Sequence, residues 1–292
     1  MTMEVNWAGM TLAGICLGIV ILMIFCNKFI RKVTNSYFFW LVISAFFFIW
    51  LIYFRFAEEW STYWSAVANH TITDPTTYSQ SILISKGLIL DTCPFAALAI
   101  LLALILDPSR KVARAIAPMA LIGGALIIFF QLPFDNSGTI QTRLDAEFIF
   151  IGDGGNKCYF LFHAINLLFA VGVMLNTPRG GWKGYCLSCG ICFGYYIYVA
   201  ICMVVTGCSW NVAGLNLNDW SPSGEYYVVA RVLNLPPLPT ACIGFVTLFA
   251  VFSLINYLND YPFKRWIWKY GNKYHKWYCW YNYNAYVVQK YL

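Results

Sequence analysis

Residues 85–106 read SKGLILDTCPFAALAILLALIL. From Phe95 to Leu106 every side chain is apolar. At 1.5 Å rise per residue, about 20 mostly apolar residues in a helix cross a bilayer. The run 86–106 meets that length, and six others do so too: 8–27, 37–54, 112–131, 157–175, 185–206 and 238–257. These are continuous runs, unlike the short alternating segments of a barrel. Backbone groups inside lipid must bond within their own segment, which requires helices. The expected fold is all-α: a polytopic membrane helix bundle with seven transmembrane helices.

Composition agrees. The chain is 60% hydrophobic and 11% charged, where soluble domains carry roughly 25% charged residues. Mean hydropathy is +0.62. A soluble enzyme and a disordered chain are excluded. The first run is read as a retained helix, because only Glu4 is charged before it and its basic residues follow it.

Charge fixes the expected direction. With the loop after the first span inside, 14 of the 19 Lys and Arg lie inside and ten of the 13 acids outside. Basic residues favour the inner side, so the N-terminus is expected outside, the C-terminus inside, and the location is the plasma membrane. Outer stretches are placed at 55–85, 132–156 and 207–237, rich in turn residues. Residues 1–261 form the transmembrane domain. The tail, 262–292, holds 12 aromatics and six Lys or Arg with no acid. It is expected to lie on an anionic inner leaflet, with rings at headgroup level. Membrane lipids are therefore the expected partners. The tail offers a surface for a protein partner, and nucleic acid is not favoured.

Polar groups inside a span are costly and point to function. On the third span Asp91, Thr92 and Cys93 precede Pro94, which cannot donate to the Leu90 carbonyl, so the helix kinks or starts irregularly there. On the fifth span His163 and Asn166 are three apart and share a face. Cys93 and His163 sit at matching depth, seven and six residues past Lys86 and Lys157. A thiol beside an imidazole is an activated nucleophile. The plainer reading is a proline kink with Asp91 paired to a cation, and a packing histidine. Outer residues Asp135, Arg143, Asp145, Glu147 and Asp153 are candidates for a lid over that site, with Arg143, Asp145 and Glu147 contacting substrate. An outer-side disulfide between Cys158 and Cys208 is open. Cys186, Cys189 and Cys192 are read as small packing residues, and no metal or cofactor is expected.

The segments LILDTCPF and EFIFIGDGGNKCYFLFHAINLLF resemble the YwaF-like family of integral membrane proteins, in particular its versions from small-genome, wall-less bacteria. The first looks like that family's LPLHLC stretch. The eukaryotic relative is transmembrane protein 164, a membrane acyltransferase of lipid remodelling with a Cys–His pair. The resemblance covers about residues 35–260 and implies Cys93 as nucleophile and His163 as base. Where the family has a histidine two positions before the cysteine, this chain has Asp91.

Three functions stay open. One is a lipid acyltransferase or hydrolase using Cys93, His163 and an orienting Asp91 or Asn166. The second is a transporter or solute-binding membrane subunit with an Asp/His polar cavity. The third is a non-catalytic membrane scaffold.

Overall fold

A computed structural model describes residues 6–25, 33–34, 36–134, 142–152, 157–177, 180–209, 214–221 and 232–259. Among them all regular structure is helical. The principal helices are α1 (Trp7–Phe25), α2 (Tyr37–Leu51), α3 (Ala57–Ala68), α4 (Tyr78–Gly87), α5 (Thr92–Leu106), α6 (Lys111–Leu126), the short α7 (Ala146–Phe150), α8 (Tyr159–Asn176), α9 (Gly181–Thr206) and α10 (Pro237–Leu258). Grouped into continuous or nearly continuous rods, they make seven helices long and apolar enough to cross a membrane.

The rods differ from the sequence expectation at one end. The second runs from Tyr37 to Ala68, because α2 passes through a π-helical segment, Ile52–Phe56, directly into α3. The stretch from 55 to 85 is therefore not an outer loop but a helical hairpin of α3 and α4. Arg55, Glu58 and Glu59 end the apolar run, yet charge does not end a helix. Arg55 and Glu59, four apart, lie on one face, with 3.6 Å between Arg55 Nε and Glu59 Oε2. The fourth rod likewise continues through a π-segment, Ile127–Gln131, to Phe134.

Contacts between rod ends fix an alternating, antiparallel order. At the expected inner end, the Tyr37 hydroxyl donates to the carbonyl of Ile105, and Arg110 Nη1 donates to that of Thr34 at 3.0 Å. At the expected outer end, the Asn6 amide donates to the Pro133 carbonyl at 2.9 Å, and Trp50 Nε1 to that of Phe150 at 2.8 Å. Helix α8 is the axis of the bundle. Of its most apolar window 78% is buried, against 17% for α9 and α10. The apolar outer faces of α9 and α10 suit lipid.

Small residues let the axis be approached. Helix α6 buries Ala113, Ala115, Ala117 and Ala120. A Cβ on its Gly124 would stand 2.6 Å from the Leu167 amide nitrogen and 2.7 Å from the His163 carbonyl oxygen of α8. Only glycine permits that backbone-to-backbone contact, a close approach typical of helices packed in lipid.

The α5–α6 turn is set by Asp107. Its carboxylate accepts from the Ser109 amide and the Val112 amide, both at 2.9 Å, and so caps the start of α6. Arg110 closes the turn in a left-handed conformation, φ 58°. Partial burial pushes the Asp107 carboxyl up, but the hydrogen bonds from Ser109 and Val112 outweigh it and hold the group below its usual range. Because the folded value is depressed, the stabilisation is present above the ordinary carboxylate pKa of about 4 and fades as pH falls through the folded value. We expect Asp107→Ala to destabilise the protein by about 1 kcal/mol near neutral pH. In thermal unfolding of detergent-solubilised protein, the gap between variant and wild type should narrow below about pH 4. A gap that is constant with pH would remove Asp107 as the charged cap.

Candidate functional site

The third rod is broken near its expected outer end. Helix α4 stops at Gly87, Ile89 takes a left-handed conformation (φ 54°), and the Leu90 amide turns back to the Ser85 carbonyl at 2.8 Å. Helix α5 then starts at Thr92, with Asp91 extended at its N-cap. Pro94 falls in the first turn, where no helical partner awaits its missing amide proton. The irregular start read from the proline is thus a full interruption.

Such a break frees backbone carbonyls, which an apolar interior cannot leave unbonded. Two tyrosines of α9 take them, and an asparagine of α8 adds a bond to the first turn of α5. Tyr198 of α9 donates to the Leu88 carbonyl, Tyr195 of α9 to that of Leu90 at 2.6 Å, and Asn166 Nδ2 of α8 to that of Cys93 at 2.9 Å. Tyr195 also stacks on Phe95, ring centroids 4.2 Å apart, which holds its hydroxyl in place.

Charged side chains gather at the same level. Arg55, in the π-segment between α2 and α3, is only 5% exposed. Its Nη1 donates to the Lys157 carbonyl at 2.6 Å, and its guanidinium lies 4.6 Å from the Phe162 ring centroid. Glu59 meets Arg55 through one oxygen at 3.6 Å and Lys86 of α4 through the other at 3.9 Å. Asp91 accepts from Ser85 Oγ at 3.0 Å. Lys157 pairs with Glu58 beside them. Sequence reading counted Arg55, Glu59 and Lys86 only as outer-side charges. The available signal was the Arg55–Glu59 spacing of four directly after an apolar run, which predicts one helix face rather than a loop.

Asn166 of α8 is joined to the Cys93 backbone of α5, and His163 lies one turn before Asn166 on α8. His163 is 2% exposed. Its Nδ1 lies 2.8 Å from the Tyr159 carbonyl oxygen, so that nitrogen carries the proton and Nε2 keeps its lone pair. The link between the helices runs from Asn166 to the Cys93 backbone. The Cys93 thiol faces Gly123 of α6, its sulfur 2.8 Å from where a Cβ would stand, while the carbonyl of His163 packs on the adjacent Gly124.

Arg143, Asp145 and Glu147 form a separate, exposed group. Arg143 pairs with Asp145 at 3.0 Å and with Glu147 at 3.6 Å, and Asp145 caps α7 through the Phe148 amide at 2.7 Å. These ion pairs and the cap are local to α7. Asp135 and Asp153 lie outside the described residues, as does the tail 262–292. Cys158 and Cys208 are not joined in a disulfide, and their thiols donate to the carbonyls of Phe150 and Ser81. Cys186, Cys189 and Cys192 pass from exposed to buried along α9.

The two tyrosines should differ in weight. Tyr195 is 3% exposed and Tyr198 40% exposed. Removing the buried hydroxyl leaves the Leu90 carbonyl unbonded at a cost of about 1–3 kcal/mol, whereas water can replace the other. In thermal unfolding, Tyr195→Phe should lower the midpoint clearly more than Tyr198→Phe. Equal effects would mean that the break is not held by the buried bond.

The chain resembles known proteins along most of its length. Two curated relatives are an uncharacterized protein, MG135, of Mycoplasma genitalium and its homolog in Mycoplasma pneumoniae. The first is 27% identical over 191 residues, covering 63% of this chain and 65% of the relative. The second is 29% identical over 163 residues, covering 54% of each. The chain thus spans a little over half to about two thirds of these relatives. No solved structure matches. A family model described as a family of unknown function, DUF5378, matches residues 14–290, which takes in the broken third rod, the charged cluster and the axial α8, and the chain belongs to that family.

Proposed function

We propose that this protein is a multi-pass plasma-membrane protein, N-terminus outside and C-terminus inside, whose broken third span carries a site for a small charged solute or protons near the outer face. The observation that carries the reading is the coincidence of the Leu88–Asp91 break with Arg55, Glu59, Lys86 and Asp91. Discontinuous spans with charged groups at the break are the device by which secondary transporters expose helix ends and unwound backbone to a solute. Charges buried at membrane depth are expensive and are kept where they serve a pathway. The basic loops support the orientation. Membrane lipids surround the bundle, and the basic-aromatic tail lies on the inner leaflet, where it also offers a surface to a protein partner.

The test is solute uptake and proton flux in vesicles carrying the protein. Asp91→Asn should abolish them and Cys93→Ser should leave them intact. Activity that survives Asp91→Asn would end this reading.

A second reading rests on the His163–Tyr159 hydrogen bond. With the proton held on Nδ1, Nε2 is free to act as a base. If the Cys93 side chain turns from Gly123 toward it, imidazole takes the thiol proton and sulfur attacks a lipid ester carbonyl. The ester C–O bond breaks, the alcohol leaves with the proton, and water or a second lipid hydroxyl releases the acyl group from the thioester. This is the acyl-transfer chemistry implied by the YwaF-like resemblance. Cys93→Ala and His163→Ala should each change the lipid profile measured by mass spectrometry. Profiles unchanged in both would discard acyl transfer.

A further inference from the structure

Glu59 occupies a peculiar place in the cluster. One carboxylate serves two cations on two elements: Arg55 in its own rod, and Lys86 across the hairpin on α4. Neither contact is a short, charge-assisted hydrogen bond, which runs about 2.7–2.9 Å. Among the described residues, the buried Glu59 Oε2 accepts no hydrogen bond, and neither does Arg55 Nε donate one. By contrast, Asp91 is bonded by Ser85, and Glu58 is joined to Lys157. Among the described residues, the charged groups facing Glu59 are thus Arg55 and Glu58 from its own rod, Lys86 from α4 and Asp91 from the break, with Lys157 behind Glu58.

Charge counting gives the consequence. Arg55 and Lys86 against Glu59 and Asp91 sum to zero, and the Glu58–Lys157 pair is neutral. A proton on Glu59 leaves the four-residue cluster at +1. It also breaks the ion pair that joins Lys86 of α4 to Glu59 of α3. From this geometry we infer that Glu59 is the proton-accepting group of a proton-coupled anion site: protonation of Glu59 loosens α4 from α3, opens the break at Asp91–Cys93, and turns the cluster positive for a small carboxylate or phosphate held by Arg55 and Lys86. This deepens the solute-site reading above and rests on it. No covalent step is involved. One proton and one anion enter together, and their charges cancel.

Cys93, partly buried and two residues beyond Asp91, reports the opening without any transported solute. The full-length protein in lipid vesicles is labelled with N-ethylmaleimide. Labelling at Cys93 is mapped by mass spectrometry and corrected for the reactivity of a small thiol at the same pH. In the wild type the corrected rate should rise roughly tenfold from about pH 8 to about pH 5, as a carboxyl group takes its proton. Inorganic phosphate or acetate should slow it at the acidic end. Glu59→Gln, which mimics the protonated acid, should label fast at both ends. Lys86→Gln, which lacks the Glu59 pair at every pH, should label fast at both ends and lose the protection by anions, because its protonated cluster is neutral. A flat wild-type profile overturns the inference, as does wild-type pH dependence retained in Glu59→Gln, or acid-end labelling that neither anion slows. Should Glu59→Gln fail to fold, Lys86→Gln decides by the same protection. Labelling that behaves as expected while Asp91→Asn still transports would fault the transport reading alone.

Discussion

The arrangement depends on one constraint: in an apolar interior every backbone carbonyl needs a donor. A helix meets that need by itself, and a broken helix does not. At Leu88–Asp91 the chain gives up part of its helical ladder, so the freed carbonyls must be matched by side chains aimed from elsewhere. Tyr195 and Tyr198 do this, and Asn166 bonds the first turn of α5 beside the break. Their positions in turn fix how α8 and α9 stand against the third rod. The glycine pair on α6 then lets the axis come close enough for Asn166 to reach Cys93.

Once that break is held, the charges follow. The π-segment Ile52–Phe56 adds a residue to a helical turn of the second rod, at the level where the third rod is interrupted. π-Segments of this kind recur at functional sites. Arg55 sits in the segment and anchors the start of α8 through the Lys157 carbonyl. A buried guanidinium is tolerable only where oxygen and aromatic faces surround it, and here the Lys157 carbonyl, Glu59 and the Phe162 ring supply them. Two irregular joints, one in each rod, therefore frame a common cluster of polar side chains.

Much of this was legible in the chain. Seven apolar runs give seven rods because the length needed to cross a bilayer is a property of one segment. The Asp-Thr-Cys-Pro sequence marks an irregular helix start, since proline's lack of an amide proton is also local, and the break lies directly before it, at Leu88–Asp91. His163 and Asn166 were singled out for being polar on an apolar helix, and both are buried on the axis. The extent of the second rod was not legible. An apolar window ends where charge begins, but helix continuation is decided by backbone bonding and by Arg55 and Glu59 finding partners.

The sequence by itself determined the helical class, the number of rods and the location of the break, because periodicity, span length and proline chemistry act within a few residues. Only the tertiary structure decided what meets at that break. Tyr195, Asn166, Arg55 and Lys86 are far apart in the chain, and no local rule links them. They converge because freed carbonyls and buried charges find partners only where separate helices pack together.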